Sequence, residues 1–277
     1  MELAVRHQTI YRYAQPASRV ALLLRLKPSV CDGQRPQHWQ VTVNDVPVPA
    51  FPANAYGDGE AFFQQLGPVG EIVIIAAGIV ATQDRQGVVS GLRPEAPPPV
   101  FLRQTELTRP DPAIAALADA VRGEPGIARL HALSARVREA VAYRPGTTST
   151  ASTAAEALAQ GEGVCQDHAH LFVSAARTLG VPARYVAGYL LELDGGQARS
   201  ETHGWAEAWA EGLGWIGFDP TNGICVTEQY VRLCCGLDAH DAAPVRGSVF
   251  GAGNSAIDVD VRISEAGLDP QQVQQQQ

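Results

Sequence analysis

Residues 161–193 read GEGVCQDHAHLFVSAARTLGVPARYVAGYLLEL, and two periods meet in them. Gly161 and Gly163 permit a tight turn before Cys165, after which Ala169, Phe172, Val173, Ala176 and Leu179 recur at helical spacing. From Ala183 the spacing becomes that of a strand. The stretch therefore reads as turn, helix and strand, with Cys165 opening the helix. A thiol in that position feels the partial positive charge of the helix N-terminus, which favours the reactive thiolate.

Downstream, HGWAEAW (203–209) and GWIGFDPTNG (214–223) both alternate with period two. His203, Trp205, Glu207 and Trp209 share one face and Gly204, Ala206 and Ala208 the other, while Trp215, Gly217 and Asp219 share a face in the next strand. The two segments are close enough to form a hairpin. For Asp219 to reach the His203 ring, paired residue numbers must sum to an even value. A five-residue connection sets His203 opposite Asp219, and Trp205 opposite Gly217, whose missing side chain leaves room for the indole. A two-residue loop would put His203 and Asp219 on opposite faces. With Cys165 as nucleophile, His203 as base and Asp219 orienting the base, the residue types fit acyl transfer through a thioester. The Cys165 backbone N–H is the first oxyanion donor; the second is open between Gln160, Tyr143 and a nearby backbone amide.

Other chemistry fits the residues poorly. Cys165, His168 and His170 do not converge on a helix, and zinc needs four ligands or three plus water, so no metal or cofactor is expected. Asp167 suits the backbone donors of the helix start. GAGNSA (251–256) is predicted as a hairpin turn, because no phosphate-loop lysine follows it. Against 29 acidic residues stand 21 basic ones, a net charge of −8, with no basic stripe, which argues against nucleic-acid binding.

The first 99 residues are predicted as a β-sandwich of six or seven short strands: HQTIYRYA, VALLLRLKP, HWQVTVNDVPV, EAFFQQLG and EIVIIAAGIVATQ are β-rich runs broken by turn residues. Pro97, Pro98 and Pro99 read as a stiff linker and a domain boundary. Residues 100–265 then turn helical before returning to strands, an α+β pattern with an antiparallel sheet that takes in VRGSVF and IDVDVRI. Asp111 is a candidate N-cap with Pro112 at the first helical position. Residues 266–277, ending in DPQQVQQQQ, are expected to be disordered. The N-terminus lacks the apolar core of a signal peptide, the apolar run 71–81 is too short to span a bilayer, and the five cysteines form an odd, irregular set. These features point to a cytoplasmic protein without membrane or disulfide framework.

Taken together, GVCQDHAHLFVSAARTLGVPARYVAGYL, HGWAEAW and GWIGFDPTNG resemble the bacterial branch of the transglutaminase-like superfamily, as do YRPGTTSTASTAAEAL (143–158) and AHDAAPVRG (239–247). HQTIYRYAQPAS, LLLRLKP and NAYGDGEAFF resemble the β-rich N-terminal domain that accompanies this core. The resemblance implies a papain-like cysteine-protease fold, with the nucleophile carried onto Cys165, the base onto His203 and the orienting acid onto Asp219. Three positions depart from the pattern. His168 replaces an aromatic residue, Gly204 replaces an alanine, and NAYGDGE is a loose version of an Asp-aromatic-Gly-Asn turn. The implied substrate is a peptide or protein amide, with hydrolysis preferred because water is the default acceptor. No clustered carboxylates read as a calcium site. The alternatives are an amine-accepting, cross-linking transglutaminase and a non-catalytic peptide-binding module.

Overall fold

In the computed structural model, residues 1–93, 95–194 and 197–266 are described. The elements run β1 (Glu2–Leu24), β2 (Gln34–Val43), β3 (Val46–Pro47), β4 (Ala61–Thr82), β5 (Val88–Val89), α1 (Pro112–Asp119), α2 (Gly126–Ala140), β6 (Ala142–Tyr143), α3 (Ala154–Gln160), β7 (Glu162–Gly163), α4 (Cys165–Thr178), β8 (Ala183–Asp194), β9 (Gln197–Ala210), β10 (Gly214–Asp219), β11 (Ile224–Cys225), β12 (Tyr230–Gly236), β13 (Val245–Phe250) and β14 (Ser255–Glu265). This is an α+β fold with two antiparallel sheets. The first has the order β13-β1-β4-β2-β3, with β14 also on β1; the second has the order β11-β10-β9-β8-β12, with β5 on β10.

The N-terminal strands are fewer and longer than their sequence punctuation predicts. HQTIYRYA and VALLLRLKP are parts of one strand, β1, while EAFFQQLG and EIVIIAAGIVATQ both belong to β4. The turn residues between them do not stop pairing; they shift its register between Arg12 and Arg19, bending both strands. VRGSVF and IDVDVRI also sit elsewhere than predicted. They pair with β1, Val20 beside Val249 and Val5 beside Ile263, and not with the second sheet. GAGNSA is consequently a joint between two successive partners of β1 and not a hairpin turn. Alternation fixes which side chains point inward but not which distant strand becomes the neighbour. Without β13 and β14, one whole edge of β1 would be open.

One face of the second sheet is shared. Ala183, Ala206, Ala208, Ile216 and Phe218 pack under the helices with Leu133, Phe172 and Ala176. Tyr189, Leu191, Val231 and Leu233 pack instead on Leu3, Val5, Leu22 and Ile72 of the first sheet. On the opposite face, Trp205, Trp215 and Tyr230 form a third cluster with Phe101. The proline triplet is therefore not a free spacer. Residues Pro98–Leu102 form a 3-10 turn whose fully buried Phe101 packs edge-on against Trp215. Arg177 at the end of α4 fixes that turn, donating to the carbonyls of Phe101 (3.0 Å), Ala183 (3.0 Å) and Leu237 (2.7 Å).

Polar contacts latch the N-terminal residues to the second sheet. Arg232 is 2.7 Å from Asp58 and 3.0 Å from Glu207, and Glu207 is 2.6 Å from Arg184. All four are buried. The Arg184 guanidinium stacks 3.9 Å over the Trp215 ring. Asp58 also accepts from the Cys235 N–H (2.7 Å), and Gln34 bonds both the N–H and the carbonyl of Arg232. Among the described residues no helix is long and apolar enough to cross a membrane. The expected disordered tail, 266–277, lies outside the described residues from 267 onward.

Candidate active site

Helix α4 begins at Cys165, as its spacing predicts, with Val164 as N-cap. Asp167 reaches back so that its Oδ2 accepts from the Val164 N–H (2.8 Å) and the Thr148 hydroxyl (2.6 Å). That closes the first turn with a carboxylate, favourable at the positive end of the helix. Gly163 permits the reach, because a Cβ there would lie 2.8 Å from the Asp167 carboxyl oxygen. His168 is buried and its two ring nitrogens are each 2.9 Å from a carbonyl oxygen, of Val164 and Val141. It thus ties the α4 start to the end of α2, a task an apolar aromatic ring could not perform. His170 points elsewhere, accepting from the Ala239 N–H at 2.9 Å, and burial lowers its pKa to about 4.

His203 and Asp219 lie on one face of the β9–β10 hairpin. The parity condition holds, but the register differs by two residues from the one predicted. A three-residue connection, Glu211 to Leu213, pairs Ala210 with Gly214 and Glu207 with Gly217, leaving Asp219 diagonal to His203. Gly217 therefore does not accommodate the Trp205 indole; its bare Cα faces Val226. Gly188, opposite His203 on β8, gives the indole its space, since a Cβ there would meet the ring at 2.5 Å.

From this diagonal position His203 Nε2 donates to Asp219 Oδ2 at 2.7 Å. With Nε2 engaged, Nδ1 is the nitrogen left for Cys165. Burial alone would lower the His203 pKa, but hydrogen bonds to Asp219 and Cys165, and the charges of both, raise it to about 10. Trp205 stacks along the imidazole with ring centroids 6.3 Å apart. Asp219 is fully buried, which disfavours its charge, yet its pKa is lowered because donors surround it. Oδ2 accepts from His203, from Asn222 Nδ2 (2.8 Å) and from the Tyr230 hydroxyl (2.8 Å), and Oδ1 from the N–H groups of Thr221 (3.0 Å) and Asn222 (3.2 Å).

Sequence reading missed Asn222 and Tyr230. The DPTN run carried a signal for the first, since Asp commonly bonds the backbone two residues on and sets the following side chains. Tyr230 had none, because β12 reaches Asp219 only through sheet pairing. Of the two side chains considered as second oxyanion donors, Gln160 spends its amide on the Thr147 carbonyl (3.3 Å). Neither Gln160 nor Tyr143 lines the groove at Cys165, whereas Val164 and Gln166 do. The groove holds about 390 Å³, with Cys165 and His203 on its floor. Among the described residues no group of three or more His, Cys, Asp or Glu side chains is placed to hold a metal ion.

Residues 115–220, which span this helix and hairpin, match the family model of the transglutaminase-like superfamily, and residues 3–81 match that of the bacterial transglutaminase-like N-terminal region. An uncharacterised protein of Mycobacterium leprae is 32% identical over 280 residues, covering 95% of this chain and 98% of its own. The chain belongs to the transglutaminase-like superfamily. A second mycobacterial relative, an uncharacterised protein of Mycobacterium tuberculosis, is 30% identical over 292 residues, covering 94% of this chain and 91% of its own. The solved structure of a candidate cysteine protease from Cytophaga hutchinsonii shares the transglutaminase-like fold, with a TM-score of 0.73 at 22% identity over 97% of this chain and 92% of that one. Within the superfamily pattern, the glycine at 204 has a local cause. A methyl group there would overlap the Tyr185 hydroxyl, which fills the space an alanine otherwise takes.

Proposed function

We propose that this chain is a thiol-dependent acyl-transfer enzyme that hydrolyses peptide or protein amides, a protease, peptidase or deamidase. The observation that supports it is the His203–Asp219 bond through Nε2, which aims Nδ1 at a thiol on the first turn of a helix. Cys165 Sγ, as thiolate, attacks the amide carbon, and the carbonyl electrons move to oxygen. The Cys165 N–H, one of the first-turn donors that lack an intrahelical acceptor, stabilises that oxyanion. His203 Nδ1–H then protonates the departing amine, the C–N bond breaks, and a thioester remains. Neutral Nδ1 next takes a proton from water, which attacks the thioester. The acid leaves, and the thiolate and imidazolium are restored. Asp219 keeps its charge throughout, held by its donors, and fixes the imidazole orientation.

Water is the preferred acceptor because the groove is open and, among the described residues, no Asp or Glu lines it to attract a cationic amine. The test is to quench turnover of a peptide library rapidly and identify the acyl group on Cys165 by mass spectrometry, with oxygen-18 water reporting hydrolysis. An acid product carrying the label is expected. If Cys165 alkylates readily with iodoacetamide yet never yields an adduct, amide chemistry is the wrong reading. Sluggish alkylation, unchanged in His203→Ala, would point instead to a non-catalytic binding module.

A further inference from the structure

The groove over Cys165 and His203 is only half built by the catalytic core. Its other wall comes from the first sheet: His7, Thr9 and Tyr11 of β1 and Ile257 and Val259 of β14. The β1–β14 register pairs Tyr11 with Ile257 and Thr9 with Val259, which sets the two rows side by side on one face. The inner part of this wall is fixed. His7 Nδ1 is 2.8 Å from the Tyr189 hydroxyl and Nε2 is 3.0 Å from Thr9 Oγ1, and burial lowers the His7 pKa to about 4, so the ring is neutral near pH 7. The outer part is apolar and accessible, with Ile257 60% and Val259 51% exposed.

The groove's charge pattern is equally specific. Among the described residues, no Asp, Glu, Lys or Arg side chain lines this groove. Away from the Cys165–His203 pair, a charged substrate side chain lying on the β1–β14 wall would shed water and find no counter-ion among the described residues, whereas an apolar one would cover Ile257 and Val259. The volume, about 390 Å³, lies within the range that accommodates small ligands and side chains.

We propose that the β1–β14 face is the specificity wall of the amide-donor site, with Ile257 and Val259 receiving an uncharged apolar side chain next to the reactive amide. The substrate class is then a peptide segment with a branched or aromatic apolar residue flanking that amide. This rests on the reading of Cys165 as the nucleophile, but its test does not depend on turnover.

Fluorescein-labelled peptides Gly-Gly-X-Gln-Gly, with X as Leu, Lys or Asp, are titrated by anisotropy against the full chain carrying Cys165→Ala. The Leu peptide is expected to bind at least tenfold more tightly than the other two. Adding Ile257→Glu and Val259→Glu is expected to abolish that preference and to favour the Lys peptide. Should the Glu pair fail to fold, Ile257→Thr with Val259→Thr keeps β-branched side chains in the strand and is expected to weaken the preference severalfold. Equal affinity for all three peptides, or a preference untouched by a folded variant, overturns the proposal. A Leu preference without turnover by the unaltered chain would remove the amide chemistry and keep the wall. Turnover blind to X would do the reverse.

Discussion

At Asp219, five donors converge on one buried carboxylate, so its role depends on charge and not on shape alone. An Asp219→Asn change offers an NH₂ to a nest of donors and withdraws the charge that holds the imidazolium. Activity of the unaltered chain is expected to fall as pH rises through about 10, where His203 loses the proton that the proposed mechanism gives to the leaving amine. In Asp219→Asn that alkaline limb should move to lower pH, with kcat/KM down roughly 10²–10⁴-fold; a pH–rate profile reads both effects. An unmoved limb would mean that Asp219 does not set the His203 proton. Gly204 gives a second test. Gly204→Ala forces its methyl against the Tyr185 hydroxyl and is expected to cost about 1–3 kcal/mol, as measured by urea denaturation; adding Tyr185→Phe is expected to recover only part of it, because the ring Cζ would still lie 2.6 Å from the methyl. Residues of this kind were legible to different depths. Cys165 and the cap at Asp111, which accepts from Ile114 N–H at 2.8 Å, are local features and could be read directly. The steric reason for Gly204 lies on β8, and no run of β9 contains it.

At the level of elements, the period of each segment was readable but its neighbour was not. Helices α1 to α4 all fall in the segment whose pattern turns helical, α1 starting at Pro112 after the Asp111 cap and α4 at Cys165. The β9–β10 hairpin kept its parity because a one-residue slip would exchange the small face under the helices with the tryptophan face on Phe101, while the choice among even registers fell to a three-residue connection. The latch between Asp58, Arg232 and Glu207 escaped sequence reading altogether, its partners being spread over NAYGDGE, β12 and β9. NAYGDGE turns on its own Asn54, whose Oδ1 accepts from the Tyr56 and Asp58 N–H groups, and so delivers Asp58 to Arg232 and Tyr56 to Asp241. Removing the cation would leave the buried Asp58 carboxylate without a counter-ion and Glu207 with Arg184 alone. Arg232→Ala is therefore expected to cost about 3–5 kcal/mol, visible as a lower denaturation midpoint; a loss under 1 kcal/mol would show that the latch carries little of the domain attachment.

For the molecule as a whole, protons link the site to stability. His7 and His170 have pKa values of about 4 against 6.5 for a free side chain, so their contribution is present above 6.5 and is lost as pH falls through 4. Glu207 and Asp219, whose pKa values are lowered, reinforce that acid limb. His203 acts in the opposite sense: raised to about 10, it contributes fully below 6.5 and its contribution is lost as pH rises through 10. The melting temperature should therefore peak near pH 6.5, with His203→Gln flattening the alkaline side and His7→Gln the acid side, as read by differential scanning fluorimetry. The pairing of β1 with β14 has a consequence in time. On the ribosome Leu3 emerges early and waits for Glu265, its partner across the sheet. A nascent chain that already carries Cys165, His203 and Asp219 still lacks the wall that shapes their groove, so the complete groove would arrive only with β14.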